Sequence, residues 1–425
     1  MATITKSDEL RLANRSRILT CLRGNGMLSR TSIAEITGLS GATVTLVTAE
    51  LIDDGVIRQV DSTSTPSPTS NFHTRRGRPQ VILELNPGAA STAVVTFLLN
   101  QVGITLYDYA GNRLHRADTP LVTATLSAET LKQSLFAAID ATLAADKHYR
   151  SALKHIALVC QGTVTHDSSA LLWSPITAVR NFDLSRELRS RYSVGVTVSN
   201  DCNMIARALY QERQQQPGQA QSSFTTPPDS ANNFATILLS YGIGLGFFHQ
   251  GSILTGSHSS GTEFGHMLYK ADGALCRCGR YGCIEAYASD YAIWRKAKNL
   301  PSDTIPADII SEEEFTGLIE TAKRSPGPER EAFAEAGAAI GQGLTNLFAI
   351  FDPFPTVLVG TTALAFTLME ESLTRNSRHY GTGDSSSYVS VYNEKSEGSL
   401  IRTGASLQAL SYIDQEIFGF GERLC

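Results

Sequence analysis

A short cysteine-rich segment constrains the fold of this chain more than any other feature. The segment GHMLYKADGALCRCGRYGCIE begins at residue 265 and holds three of the chain's seven cysteines within eight residues, Cys276, Cys278 and Cys283, behind His266. One imidazole nitrogen and three thiolate sulfurs are the donor set of a closed, tetrahedral structural zinc site. Such a site would tie the segment into a compact loop, so we predict one structural zinc ion per chain on these four residues.

The cellular compartment decides what clustered thiols do. The chain has 425 residues, 42% of them hydrophobic, with no segment like a signal peptide at its start and no run of about 18 apolar residues. We therefore predict a cytoplasmic, globular protein of two or three domains with no membrane partner. Because the cytoplasm keeps thiols reduced, metal binding is favoured over a disulfide framework. Incidental buried cysteines remain an alternative, and the C-x-C and C-x4-C spacings disfavour a redox pair.

The N-terminal residues 17–59 have the pattern of a helix-turn-helix. Ile18, Leu19 and Leu22 form an apolar stripe on a first helix that ends at the GNG of residues 24–26. Ser29 and Ser40 are suited to cap the second and third helices. The segment DDGVIRQV then predicts a turn into a β-wing. The pattern is that of a winged helix-turn-helix, with a group of helices that contacts only protein as the alternative.

The third helix has the position of a recognition helix. Val44, Val47 and Leu51 fall at i, i+3 and i+7, so we expect them to face the core. The remaining faces would then point outward toward a DNA groove. The residues predicted to contact DNA from this helix and its cap are Ser40, Thr43, Thr45 and Thr48.

The N-terminal part of the chain has a net positive charge, whereas the rest has a net negative charge. Residues 1–80 contain ten Lys or Arg and seven Asp or Glu, whereas the whole chain has a net charge of −5. A basic head on an acidic body favours a phosphate-bearing partner, here double-stranded DNA. Arg76 and Arg78 of the element RGRP are also predicted to contact DNA, either in a narrow minor groove or at phosphates.

The body beyond Pro87 alternates β-rich and helical segments, which predicts two α/β lobes. Three strands in a meander are followed by a helix over 127–145 and by the strand HIALVC. We predict a DNA-binding domain with wing and linker at 1–82, a first lobe at 83–199 completed by 400–425, and a second lobe at 200–399. The polar, Pro- and Gln-rich residues 213–233 are predicted to form a mobile surface insertion.

Four features of the chain belong together: the helix-turn-helix, the RGRP element, the Asn200-Asp201 pair and, above all, GTEFGHM followed by CRCGRYGCIEAYAS. Together they resemble the ROK family, which groups sugar-responsive repressors with sugar kinases. The resemblance covers nearly the whole chain. It implies an α/β fold in which the winged helix-turn-helix precedes a two-lobed, actin-like (ribonuclease H-like) body with a ligand cleft between the lobes. It also implies zinc on the four predicted ligands.

The resemblance further implies which residues contact a sugar. Family kinases bind sugar hydroxyls through residues that match Asn200, Asp201, Glu263, His266 and Glu285 here, with the aspartate as general base. Carboxylates and an amide suit vicinal hydroxyls, because they accept and donate hydrogen bonds in pairs. The alternative is that Asn200 and Asp201 only cap a helix and that Glu285 is a solvated helix residue.

Two altered loops distinguish this chain from the family's kinases. The kinases begin the body with Asp-x-Gly-Gly-Thr, whose glycines let backbone amides approach the ATP phosphates. This chain has TFLLN at residues 96–100, and the second phosphate loop, Gly-Thr-Gly-Ile-Gly, has become SYGIG at residues 240–244. We predict that ATP is not held productively and that the protein is not an enzyme.

The combined features predict a sugar-responsive, DNA-binding transcriptional regulator. We expect a repressor of genes for carbohydrate uptake or catabolism that a sugar or sugar derivative releases from its operator. A homodimer or higher homo-oligomer is predicted, because one small basic head has too little charge for tight DNA binding. The alternatives are a ROK sugar kinase with a fused DNA-binding module, and a regulator whose body senses a protein partner.

Overall fold

The computed structural model describes most of the chain in nine stretches. They are residues 6–60, 81–145, 151–215, 232–256, 262–307, 309–379, 383–384, 388–392 and 396–419. The predicted DNA contacts Arg76 and Arg78 lie outside the described residues, as does most of the predicted insertion at 213–233.

The N-terminal head is a winged helix-turn-helix, as predicted. Its elements are α1 (Lys6–Asn25), α2 (Arg30–Thr37), α3 (Gly41–Asp53), β1 (Leu28–Ser29), β2 (Ile57–Val60) and β3 (Ile82–Leu85). The three strands form an antiparallel sheet in the order β1-β3-β2. Ser29 and Ser40 cap α2 and α3 through their hydroxyl oxygens, which confirms both predicted caps. Helix α1 ends one residue before Gly26, as predicted, but begins earlier than the sequence pattern indicated.

The outward position predicted for Thr48 is wrong. Its side chain is fully buried in the head, where its Oγ1 accepts a hydrogen bond from Arg30 Nε at 2.9 Å. The reason is helical periodicity, because position 48 follows Val44 by four residues and precedes Leu51 by three. It therefore lies on the same stripe as Val44, Val47 and Leu51, which are buried as predicted.

The first lobe is a five-stranded sheet with helices on its outer face. Its elements are β4 (Ser91–Leu98), β5 (Gln101–Asp108), β6 (Arg113–Pro120), α4 (Ala128–Ala145), β7 (Leu153–Cys160), β8 (Thr163–Val164), β9 (Leu171–Trp173), α5 (Leu184–Tyr192) and β10 (Gly195–Asn200). The sheet order is β10-β7-β4-β5-β6. The predicted meander is its antiparallel part, and β4, β7 and β10 run parallel.

The second lobe contains a sheet of the same design. Its elements are α6 (Asp201–Gln215), β11 (Phe234–Leu239), β12 (Ile243–His249), β13 (Ser252–Ile253), α7 (Glu285–Ala288), α8 (Asp290–Ala297), α9 (Glu312–Arg324), α10 (Pro328–Phe351), β14 (Thr356–Val359), α11 (Phe366–Asn376), β15 (Arg378–His379), β16 (Gly383–Asp384), β17 (Val389–Val391) and α12 (Glu397–Tyr412). The sheet order is β13-β12-β11-β14-β17, again three antiparallel strands extended by two parallel ones. This repetition is the two-lobed, actin-like body that was predicted.

Two helices fill the space between the sheets. Apolar residues of α6 and α12 pack in one cluster with β4 and β7 of the first sheet and with β11, β12 and β14 of the second. The two helices cross very closely at Gly404, where a Cβ atom would lie 1.9 Å from the carbonyl oxygen of Met204. A side chain at position 404 would separate the helices, so the lobes depend on this glycine for their packing.

The head is joined to the end of α12 by a buried polar cluster. Arg23 of α1 contacts Asp414, with Nη1 to Oδ2 at 2.7 Å and Nη2 to Oδ1 at 3.1 Å, and Tyr109 donates its hydroxyl hydrogen to Asp414 Oδ1 at 2.5 Å. Leu410 and Ile413 complete the apolar core of the head around this cluster. The head and the C-terminal helix therefore share one core.

The predicted domain limits remain predictions. In the structure the wing continues through β3 to Leu85, and the first sheet includes Asn200. Within the described stretches no single helix is long and apolar enough to cross a membrane. Only α2 and α3 together satisfy that length and composition, and they are bent by 118° at their junction.

Candidate ligand pocket and metal centre

One pocket opens between the lobes and brings all five predicted sugar-contact residues together. It encloses about 680 Å³, part of it continuous with solvent, and it is lined from both lobes. Its predicted members are Asn200, Asp201, Glu263, His266 and Glu285. The pocket lies where parallel strands β7 and β10 end, which is the usual ligand edge of an α/β sheet.

Asn200 and Asp201 stand at the junction of β10 and α6. Asn200 Nδ2 donates to the carbonyl of Gly162 at 3.0 Å, and its Oδ1 accepts from the backbone N–H of Asn203 at 3.2 Å. Asn200 therefore caps α6, as the alternative interpretation held, while it also lines the pocket. Asp201 is 4% exposed, and burial raises its pKa to about 6. Its Oδ1 accepts a hydrogen bond from the backbone N–H of Cys202 at 2.9 Å.

Glu263 and His266 flank the 3-10 turn Phe264–His266. Glu263 Oε1 accepts a hydrogen bond from Thr163 of the first lobe at 3.2 Å, so the two lobes touch at this carboxylate. The Glu263 side chain remains 40% exposed, whereas that of His266 is 8% exposed. His266 Nε2 lies 3.9 Å from Glu263 Oε2. Glu263 is therefore the more accessible member of the pair for a ligand.

Glu285 is a buried member of the pocket, and the alternative that it is a solvated helix residue is wrong. It begins α7 and is 2% exposed. Its Oε2 accepts from the backbone N–H of Ile243 at 3.2 Å, and its Oε1 accepts from the hydroxyl of Tyr291 at 3.3 Å. Cys276 Sγ lies 3.4 Å from the same Oε1. Glu285 thus connects the pocket to the cysteine-rich loop.

The four predicted metal ligands converge. The ligand atoms of His266, Cys276, Cys278 and Cys283 all lie within 4.8 Å of one another. Cys278 Sγ and Cys283 Sγ are 3.8 Å apart, and Cys276 Sγ is 3.7 Å from His266 Nδ1. Zinc–sulfur bonds of about 2.3 Å at tetrahedral angles place two sulfurs about 3.8 Å apart. The donor set therefore fits a four-coordinate metal ion, and the sulfurs are too far apart for a disulfide.

The cysteine-rich loop contains a tight turn, and its thiols are hydrogen-bonded to one another. Gly282 has a φ of +84°, and a Cβ there would lie 1.9 Å from the carbonyl oxygen of Lys270, so only glycine fits this turn. Hydrogen bonds from the thiols of Cys276 and Cys283 lower the pKa of the Cys278 thiol, and hydrogen bonding with Cys278 and Cys283 raises the pKa of the Cys276 thiol. Because the thiolate is the form that binds metal, a metal ion would displace the protons that these sulfurs share.

The sequence interpretation missed several pocket residues, among them Thr163 on β8 and Trp173 on β9 of the first lobe. They lie in a loop from which no single residue was assigned, because its sequence departs from the family's pattern. A lone tryptophan two residues before Pro175 was the available signal.

The turn between β4 and β5 replaces the first phosphate loop of the kinases. The backbone N–H of Leu99 donates to Gln161 Oε1 at 2.8 Å, and that of Asn100 donates to Thr123 Oγ1 at 3.3 Å. Two amides of this turn are therefore already bonded to side chains. At the second loop, Ser240 Oγ donates to the carboxylate of Glu397 at 3.0 Å.

The exposed residues in the first half of α3 are small or apolar and carry no charge, whereas Asp53 at the end of the helix is exposed. Thr45 is exposed, Leu46 is 64% exposed, and Thr43 is half-buried. The Ser40 hydroxyl accepts from the backbone N–H of Thr43 at 3.1 Å as the helix cap. The helix therefore presents hydroxyl and methyl groups rather than cations.

Comparisons with known proteins agree with this architecture. Residues 100–407 match the ROK family, and residues 11–58 match a winged helix-turn-helix DNA-binding family. The chain is 23% identical over 367 residues to a putative xylose repressor of Caldicellulosiruptor sp. (strain Rt8B.4), covering 85% of this chain and 86% of that protein. It is 24% identical over 375 residues to the DNA-binding transcriptional dual regulator NagC of Escherichia coli (strain K12), covering 84% and 83%.

Solved structures show the same fold. A ROK family transcriptional regulator described as a homolog of E. coli MLC superposes with a TM-score of 0.71 at 21% identity, covering 95% of this chain and 97% of that one. A ROK family glucokinase from Streptomyces griseus, in complex with glucose and AMPPNP, superposes with a TM-score of 0.55 at 22% identity, covering 75% and 99%. The fold and the pocket define a two-lobed ROK body behind a DNA-binding head. The chain belongs to the ROK family, among its transcriptional regulators with an N-terminal winged helix-turn-helix.

Proposed function

We propose that this protein is a cytoplasmic, sugar-responsive repressor of genes for carbohydrate uptake or catabolism. A sugar or sugar derivative binds in the cleft and releases the protein from its operator. The supporting observation is the pocket between the lobes, lined by all five residues that match sugar contacts in the family. Relatives named as xylose and N-acetylglucosamine repressors support a carbohydrate effector over a protein partner.

The pocket has the chemistry of a polyhydroxyl site. Asp201, Glu263 and Glu285 supply carboxylate acceptors, and Asn200 supplies both an acceptor and a donor. Each sugar hydroxyl donates one hydrogen bond and accepts others, so this set pairs neighbouring hydroxyls. A ligand without such hydroxyls would leave buried acceptors unpaired at a cost of about 1–3 kcal/mol each.

One zinc ion per chain is proposed on His266, Cys276, Cys278 and Cys283. A closed four-ligand site supplies structure rather than catalysis. It would hold the loop that presents His266 and Glu285 to the pocket, because both residues lie within 4 Å of Cys276 Sγ.

Phosphoryl transfer is not part of the proposed function. Catalysis of that reaction depends on positioning the phosphates. The backbone amides of Leu99 and Asn100 are occupied by Gln161 and Thr123. The hydroxyl of Ser240 in the second loop is likewise occupied, because it donates to Glu397 at 3.0 Å. The proposed role of the body is therefore to sense a ligand without transforming it.

The DNA contacts are proposed from the exposed side of the head. Ser40, Thr43 and Thr45 remain candidates on and beside α3, and Leu46 would offer apolar contact to thymine methyl groups. Arg76 and Arg78 are proposed to contact the minor groove or phosphates. A homodimer would present two such heads to a pseudo-palindromic operator.

The test is operator binding with and without sugar. Labelled DNA fragments flanking the protein's own gene are titrated by fluorescence anisotropy, alone and with glucose, xylose or N-acetylglucosamine. We expect specific binding that one of the sugars weakens by about 5- to 150-fold, the usual range of allosteric couplings.

Asp201→Asn is the matched control, because it keeps the side-chain size but exchanges an acceptor for a donor. It should bind the operator like the wild type and lose most of the sugar response. Operator affinity that no sugar changes, or the absence of any sequence preference for DNA, would contradict the proposal.

A further inference from the structure

Trp173 faces the pocket because of its strand register. It is the partner of Thr163 in the antiparallel pair of β8 and β9, and directly opposed residues of such a pair point to the same face. Thr163 donates its hydroxyl hydrogen to Glu263 Oε1, so this face is the one that meets the second lobe. The half-buried Trp173 side chain is accordingly among the residues that line the pocket.

The indole is held in place on two sides. Its ring meets the His266 ring edge to face, with centroids 5.7 Å apart and an interplanar angle of 79°. The guanidinium carbon of Arg180 lies 5.6 Å from the indole centroid. Arg180 is itself anchored, because its Nη1 donates to the carbonyls of Thr177 and Val179 at 2.6 and 2.9 Å. The orientation of the indole at the pocket is therefore set before any ligand arrives.

The Asp and Glu side chains that line the pocket are not matched by Lys or Arg in the described lining. Asp201, Glu263 and Glu285 line it, and none of the described lining residues is Lys or Arg. Asp201 and Glu285 are 4% and 2% exposed, so water screens their charges poorly. The guanidinium of Arg180 lies beside Trp173, and that of Arg280 lies 3.4 Å from the carbonyl oxygen of His266, but neither arginine is among the lining residues. A phosphate dianion would therefore meet carboxylates in the described lining and no Lys or Arg there.

We infer that Trp173 is the stacking platform of the effector site and that the effector is an uncharged, unphosphorylated monosaccharide in its ring form. One face of a sugar ring presents C–H groups with small positive partial charges, which suit the negative face of an indole. The hydroxyls at the ring edge then donate to the carboxylates opposite. This inference rests on the proposed function and names the ligand class of the same pocket.

The protein contains its own reporter for this contact. Its two tryptophans are Trp173 and Trp294. Trp294 lies outside the pocket on α8, where its Nε1 donates to Glu314 Oε1 at 2.8 Å. The variant Trp294→Phe therefore leaves Trp173 as the only indole. Titration of this full-length variant with glucose, xylose, galactose, mannose and N-acetylglucosamine should give a saturable change in emission with at least one of them.

The 6-phosphates of glucose and N-acetylglucosamine form the second arm of the experiment. We expect each to bind at least about tenfold more weakly than the neutral sugar that binds best. Calorimetry on Trp173→Ala should show a loss of about tenfold or more in the affinity for that sugar, and Trp173→Phe should restore most of it. Thermal unfolding of each variant reports whether its fold is intact. The fluorescence titration of Trp294→Phe keeps the native Trp173, so it tests the contact even if the Trp173 variants do not fold.

The outcomes separate the inference from the proposed function. A sugar phosphate that binds best and releases the operator would overturn the inference and leave the sugar-responsive repressor standing. A neutral sugar that binds by calorimetry without changing Trp173 emission, or equally well in a folded Trp173→Ala, would also overturn the inference. If no sugar of either kind binds or affects the operator, both fail.

Discussion

At the scale of single residues, the His266 ring joins the metal centre to the pocket. Its Nδ1 lies 3.7 Å from Cys276 Sγ, and its Nε2 lies 3.9 Å from Glu263 Oε2 on the other edge of the ring. A metal ion on one ring nitrogen fixes the proton on the other, which then donates to a carboxylate or a ligand. With zinc on the four proposed ligands, the donor pattern of the pocket would therefore depend on the metal site.

Replacing Cys278 by serine should remove zinc and weaken sugar binding together. Serine is a poor zinc ligand, and loss of a structural metal loosens the loop that it closes. We expect metal analysis to show one zinc per wild-type chain and little in Cys278→Ser, with weaker sugar binding by calorimetry. Cys21→Ala, which removes a free thiol of the head, is the control and should keep its zinc. Wild-type protein never exposed to chelator with less than about half an equivalent of zinc would contradict the site.

At the scale of elements, α12 connects the pocket region to the head. It begins at Glu397, which accepts from Ser240 of the second lobe, and it ends beside Asp414, which contacts Arg23 and Tyr109. Its 16 residues span about 24 Å. Over that length it packs on α6, whose first residue is the pocket residue Asp201. We therefore expect a shift of the lobes at the cleft to reach the head through this helix.

Asp414→Asn should uncouple the head from the cleft. The Arg23 and Asp414 side chains are 12% and 2% exposed, and removing one partner of such a buried pair costs about 3–5 kcal/mol. We expect a lower melting temperature and a smaller ratio of operator affinities without and with sugar, while sugar affinity in the absence of DNA stays close to wild type. Glu371→Gln breaks an exposed pair with Arg375 and should change none of these. A wild-type ratio in a folded Asp414→Asn would exclude this route.

The elements themselves were largely predictable, whereas the contacts between distant elements were not. Local patterns located the caps Ser29 and Ser40 and the strands of the body. The family signature brought out five pocket residues that lie far apart in sequence. The pairing of Arg23 with Asp414 spans 391 residues, and no local pattern encodes it. Trp173 faces the pocket through a two-stranded register that sequence alone does not reveal.

At the scale of the whole molecule, two sheets of the same design face each other across α6 and α12. The pocket lies between them and is contacted from both sides, by Thr163 of the first lobe and Glu263 of the second. A ligand that contacts both lobes stabilises a closed arrangement of them. The size of this stabilisation equals the difference between its binding free energies for the closed and the open arrangement. Since the head shares a core with α12, lobe closure and head position are expected to change together.

This coupling predicts that sugar and operator DNA each lower the affinity of the protein for the other. If a sugar lowers operator affinity by some factor, the operator must lower sugar affinity by the same factor, which we expect to be about 5- to 150-fold. The measurement is calorimetry of the activating sugar with free protein and with protein saturated with a duplex operator, compared with anisotropy of the operator with and without saturating sugar. A duplex of scrambled sequence is the control and should leave sugar affinity unchanged. Two unequal factors would mean that the sugar acts on DNA binding by another route, such as a change in oligomeric state.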